Sequence, residues 1–102
     1  MISKHIKNAL YLRFPGSDFG DYFAFLDTRP LLTDDMPGTE IHHIIPRSVP
    51  QKYRQTFLRV STLAPDNMIV LSTKDHDMAH RLLGEAEPWL LRTALRANGF
   101  YN

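Results

Sequence analysis

The stretch EIHHIIPRSV, residues 40–49, decides how the rest of the chain is read. Two adjacent histidines, His42 and His43, stand in a β-branched run that stops at Pro46. Isoleucine-rich segments favour extended backbone and proline ends a strand ladder, so EIHHII (40–45) reads as a strand. The chain has five histidines, and two more lie four residues apart in KDHDMAH, as His76 and His80. Only His5 lies apart from these groups.

Outward from that strand, NMIVLS (67–72) reads as a second one. Ser72 or Thr73 then caps a helix from about residue 74 to 84, and Ser72 with Asp75 has the spacing of a capping box. Upstream, Ile2, Ile6, Ala9, Leu10 and Arg13 recur at helical spacing, which predicts a helix over 3–13 closed by Pro15-Gly16. Phe19, Tyr22, Phe23 and Leu26 follow at i, i+3, i+4 and i+7, with Asp18 placed to cap a helix over 18–27. TRPLLTDDMPGT (28–39) has the prolines, aspartates and glycine of an irregular connection. Residues 47–66 read as a long loop, with a short ordered piece near YRQTFLRV, and Pro88 opens a last helix, 88–98, that Gly99 ends. Two strands followed by a helix, flanked by helices, make a small α+β domain.

Composition bounds what this domain is. At 102 residues there is room for one hydrophobic core, and 43% hydrophobic with 23% charged residues is an ordinary globular balance. No apolar run approaches the ~18 residues of a membrane helix, and MISKHIKNAL lacks the uninterrupted apolar core of a signal peptide. With no cysteine, disulfides and thiolate sites are excluded. These features point to an intracellular protein whose metal ligands, if any, are His, Asp, Glu or Asn.

Charge is unevenly spread. Residues 18–40 carry Asp18, Asp21, Asp27, Asp34, Asp35 and Glu40 against the single base Arg29. Residues 43–65 carry Arg47, Lys52, Arg54 and Arg59 and no acid. Such clustering suits an anionic partner approaching the middle of the chain, and equally a solvated basic loop.

His76 and His80, at i and i+4, lie one turn apart on one helical face and can share one metal ion. Taken alone that spacing is common on surface helices. The order of the pieces is more specific: a His-His strand, a basic loop, Asn67 opening a second strand, then a helix carrying His76 nine residues later. The run EIHHIIPRS…DNMIVLSTKDHDMAHRLL resembles the HNH endonuclease family, whose core is the ββα-metal (His-Me) finger. It is most similar to the small phage and mobile-element type. The resemblance covers residues 40–83 of this single domain, 1–102.

The resemblance implies a two-stranded antiparallel hairpin plus helix, and the activity of a metal-dependent DNA endonuclease. It makes His43 the general base that takes a proton from the attacking water. His42, His76 and His80 match metal-ligand positions. Asn67 matches the middle residue of the motif's name, which hydrogen-bonds the loop backbone and holds the base in place. One divalent ion, zinc, nickel, manganese or magnesium, would neutralise the scissile phosphate and stabilise the departing oxygen, and imidazole ligands favour the first three. DNA is the implied partner, with no membrane role and with a homodimer or a larger phage or mobile-element complex open.

Adjacent residues of a regular strand face opposite ways, so His42 and His43 cannot both point at one spot without a kink at the strand end. The chain also departs from its small relatives after PRS, where VPQKYRQTFLRVSTLAPD replaces Gly-Gly and a brief loop. That insertion sets Lys52, Arg54 and Arg59 beside Tyr53 and Phe57, which suits phosphate contact and stacking, or a loop packed down by its aromatics. Arg47 follows the strand and is placed to clamp a phosphate, and Lys74 and Arg81 flank the helical histidines. Trp89, Leu90, Leu91, Ala94 and Leu95 read as core wall. The readings that compete with a nuclease are a nucleic-acid-binding module with a structural His-bound metal, and a toxin-type nuclease held by an inhibitor protein.

Overall fold

A strand that runs straight into a helix sets the architecture. The computed structural model describes residues 1–46 and 64–90. In chain order these form helix α1 (Lys4–Arg13), helix α2 (Gly20–Asp27), strand β1 (Thr39–His43), a 3-10 turn (Pro65–Asn67), strand β2 (Met68–Ser72) and helix α3 (Thr73–Ala86). The protein is thus α+β, a two-stranded antiparallel hairpin with helices, compatible with a ββα layout.

The register pairs Thr39 with Ser72, Ile41 with Val70 and His43 with Met68. Directly paired residues share a face of the sheet. Glu40 and His42 therefore lie on one face with Leu71 and Ile69, and Ile41 and His43 on the other with Val70 and Met68. Leu71 and His42 are buried, whereas Ile41 is exposed, so the first face is the inner one. Helix α3 packs there, with Ala79 and Leu83 fully buried in the same core as Leu71.

Local chemistry fixes where β2 stops and α3 starts. The Ser72 hydroxyl accepts the Asp75 amide at 3.1 Å, satisfying one of the unpaired donors of the first helical turn. The Asp75 carboxylate meets Arg29 at 3.4 Å, tying α3 to the end of α2. Gly38 turns the chain into β1 with φ 74°, a region closed to most side chains, and its carbonyl accepts the Thr73 amide at 3.1 Å.

Helices α1 and α2 form an aromatic layer over the hairpin and α3. Ile6 and Leu10 of α1 and Tyr22 and Leu26 of α2 are buried with Phe19, which stands just before α2. Tyr11 packs edge-on against Phe19 at 5.3 Å and against Phe23 at 5.9 Å. The Tyr11 hydroxyl also accepts the Phe19 amide at 3.1 Å. At the rim, Asp27 accepts the Ile2 amide at 2.7 Å and the Lys7 ammonium at 3.1 Å. Burial pulls the Asp27 carboxyl upward, but the Ile2 amide, Lys7 and the N-terminal amine outweigh it and hold the group below the ordinary carboxylate value.

Several boundaries differ from the reading of the sequence. Strand β1 ends at His43, not Ile45, because the Ile44 and Ile45 amides are taken by Asn67 and not by a strand partner. Helix α2 begins at Gly20, since the Asp18 carboxylate turns the chain by accepting the Gly20 amide at 2.8 Å. Helix α3 runs on to Ala86. The chain is helical again at 88–90, where Leu90 is fully buried and Trp89 packs 6.0 Å from Phe14 as part of the core wall. The remainder of the expected last helix, with Leu91, Ala94 and Leu95, and residues 47–63 of the loop expected over 47–66 lie outside the described residues, while Pro65–Asn67 at the end of that stretch form the 3-10 turn. Among the described residues, no helix is long and apolar enough to cross a membrane.

Candidate metal centre

The inner face of the hairpin meets α3 at three imidazoles. Strand alternation turns His42 inward, and the i, i+4 spacing puts His76 and His80 on the helix face that covers it. His42 is fully buried, His80 is 6% exposed, and the His76 side chain keeps 11% of its surface. Ring centroids lie 5.1 Å apart for His42 and His76, 5.2 Å for His42 and His80, and 4.7 Å for His76 and His80. One nitrogen from each ring falls within 4.8 Å of the others, close enough to hold one metal ion.

Two tests of fit support that use. His76 Nε2 and His80 Nε2 are 3.0 Å apart. Two nitrogens bound at about 2.0–2.1 Å to one tetrahedral ion stand roughly 3.3 Å apart, so a small adjustment admits an ion between them. The second test is an orphaned atom. His42 Nδ1 is buried and makes no hydrogen bond among the described residues, a state that is costly unless a ligand occupies it.

Burial and mutual repulsion keep His42 and His80 neutral. Burial, followed by the charges of His80, His76 and His43, holds His42 well below the usual imidazole range. His80 is pushed down to about 4 by burial and then by His76, against the opposing pull of Asp77 and Glu40. Uncharged imidazole is the form that ligates a cation. At neutral pH His42 and His80 are therefore in the form that can bind a cation.

Around these histidines stand residues that contact them or the turn beside them. Glu40 shares the inner face and lies 3.3 Å from His76 Nδ1, which leaves Nε2 of that ring toward His80. The Tyr22 hydroxyl, from α2, contacts His42 Nε2 at 2.8 Å and donates to the Ile44 carbonyl at 2.7 Å. Asn67, itself fully buried, accepts the Ile45 amide at 2.8 Å and donates to the Ile45 carbonyl at 3.1 Å, while its own carbonyl accepts the Ile44 amide at 2.8 Å. The turn that follows His43 is thus clamped from both sides.

Of the residues singled out in the sequence, His42, His76 and His80 come together, and Asn67 holds the turn beside them. His43 is half-buried on the opposite face of the hairpin from His42, at the last strand position, where the bend begins. Lys74 and Arg81 are exposed, and at 3.6 residues per turn they project well round α3 from the histidine pair. Arg47, Lys52, Arg54 and Arg59 lie outside the described residues. His5 stands apart, paired with Asp66 at 2.6 Å, and ties α1 to the 3-10 turn.

Tyr22 and Glu40 carry site geometry that sequence reading assigned elsewhere, to an apolar stripe and to a run of acids. Glu40 had a signal, since period two in a strand puts it on the face of His42. Tyr22 had a weaker one. It is the tyrosine in a phenylalanine-rich helix, and a buried phenol needs a partner. Comparison with known proteins returns no family model, no curated protein and no solved structure that matches this chain.

Proposed function

We propose that this protein is a metal-dependent DNA endonuclease of the HNH, ββα-metal type. The observation that carries the reading is the convergence of His42, His76 and His80 on one point of a strand–strand–helix unit, with His43 next in the chain to a ligand. In this reading His42, His76 and His80 hold one divalent cation, which supplies charge neutralisation at the scissile phosphate and at the departing oxygen. Neutral His43 accepts the proton of the attacking water. Asn67 acts through the backbone, fixing the bend at Ile44 and Ile45 that sets the direction of His43. Lys74, Arg81 and the basic segment with Arg47, Lys52, Arg54 and Arg59 would position the phosphate backbone, giving affinity without reading sequence.

A non-catalytic module with a structural metal is the reading from another class. What favours catalysis is the second histidine: a structural site uses three or four ligands and has no use for His43 facing away from them. The test is incubation of purified protein with supercoiled plasmid across zinc, nickel, manganese and magnesium, with His76→Ala in parallel. Cleavage that needs a divalent ion and disappears with His76→Ala is expected. Metal binding with no cleavage in any metal would favour the structural module, and cleavage unaffected by His76→Ala would overturn the ligand assignment.

A further inference from the structure

The buried hydroxyl of Tyr22 is not accounted for by packing. Its ring sits 1% exposed in the core beside Phe23 and 6.0 Å from His42, in surroundings where phenylalanine would fit. A buried hydroxyl is costly unless it is hydrogen-bonded, and this one has two partners. It stands 2.7 Å from the Ile44 carbonyl and 2.8 Å from His42 Nε2.

Those two contacts have one consistent proton assignment. A carbonyl oxygen has no proton to give, so the single phenol proton lies on the bond to Ile44. The phenol oxygen then presents only lone pairs to His42, and the contact is a hydrogen bond only if Nε2 carries a proton. A neutral His42 with its proton on Nε2 has its lone pair on Nδ1. That is the buried atom with no hydrogen-bond partner among the described residues, and it belongs to a ring of the three-histidine cluster.

We propose that Tyr22 is a positioning residue for the metal centre, setting the tautomer and ring orientation of His42 so that Nδ1 is the donor shared with the α3 histidines. The same hydroxyl joins the ligand strand to the turn after His43 through the Ile44 carbonyl, so one side chain of α2 orients His42 and braces the bend beside His43. This inference rests on the metal-centre reading, but not on the nuclease reading. It names a role for α2, an element outside the strand–strand–helix unit.

The experiment is NMR of isotope-labelled protein, first metal-free and then loaded with NMR-active cadmium, together with zinc affinity of wild type and Tyr22→Phe. In the metal-free wild type, His42 should show a protonated Nε2 and a pyridine-type Nδ1. Cadmium should couple to His42 Nδ1. Tyr22→Phe should bind zinc about 10–100-fold more weakly, the usual cost of removing a residue that orients a metal ligand. Its circular dichroism should stay native, and its His42 should lose the fixed tautomer, a change that loss of packing alone would not produce. If Tyr22→Phe fails to fold, the wild-type tautomer and the cadmium coupling decide the matter alone. Coupling through His42 Nε2, or zinc affinity unchanged in a folded Tyr22→Phe, overturns the role of Tyr22 and leaves the metal centre standing. A wild type that binds neither cadmium nor zinc overturns the metal reading itself, and with it the role of Tyr22.

Discussion

The aromatic layer of α1 and α2 and the histidine centre beneath it are equally buried and are held by opposite physics. In the layer, Phe19, Phe23, Leu10 and Ile6 exclude water, and Phe19 and Phe23 meet the Tyr11 ring edge-on, an arrangement indifferent to pH and metal. In the centre, three imidazoles are packed together, two of them at a cost to their protonated forms. The layer stabilises the fold, whereas the metal-free centre is a conditional liability that a bound cation would remove. Tyr22 belongs to both, with its ring in the layer and its hydroxyl on His42.

That contrast can be broken most strongly from the apolar side. Phe19→Ala should lower unfolding free energy by about 3–5 kcal/mol, the usual cost of emptying a buried aromatic site. The loss should be the same at pH 7 and pH 5, as measured by urea denaturation of metal-free protein.

The centre should show the opposite behaviour. His80 folds with its pKa near 4 instead of 6.5, and His42 is displaced in the same direction. Below pH 6.5 the unfolded chain takes up protons that the folded chain refuses, so stability is full above that value and falls as pH drops toward 4. At about 1.4 kcal/mol per unit, His80 alone accounts for a loss on the order of 3 kcal/mol in the metal-free protein. Urea denaturation from pH 7 to pH 4 should show this slope. His80→Gln should flatten it, and an unchanged slope would mean that His80 is not the group responsible.

Asn67→Ala sits between the two regions. It leaves the Ile45 amide and carbonyl without the partners they have at 2.8 and 3.1 Å, and unmade buried bonds of this kind cost about 2 kcal/mol in total. The same variant should lose cleavage out of proportion to its stability, because the bend next to His43 relaxes. Parallel losses in both would make Asn67 structural only.

The residues differ in how plainly the sequence announced their places. The hairpin, α1 and α3 were legible because periodicity and the Ser72 cap act within a few residues of the chain. His76 and His80 were legible as a pair because helical spacing orients side chains locally, whereas His42 joined them only through the family resemblance, since alternation separates His42 from His43 without saying which of them faces the helix. The early end of β1 was not, since it depends on Asn67, a residue 22 positions from Ile45 that takes the bonds a longer strand would need. Tyr22 was hidden for a related reason. Its helical spacing matches the apolar stripe, and only its partner 20 residues away reveals the hydroxyl's use.

The role of His43 is the central claim, and one paired measurement bears on it directly. Zinc affinity and plasmid cleavage are measured on the same preparations of wild type and His43→Ala. The account predicts a metal affinity close to wild type, because His43 lies on the hairpin face opposite His42, with cleavage reduced about 10²–10⁴-fold, the usual contribution of a general base. A His43→Ala protein that cleaves like wild type, or that loses its metal, would contradict it.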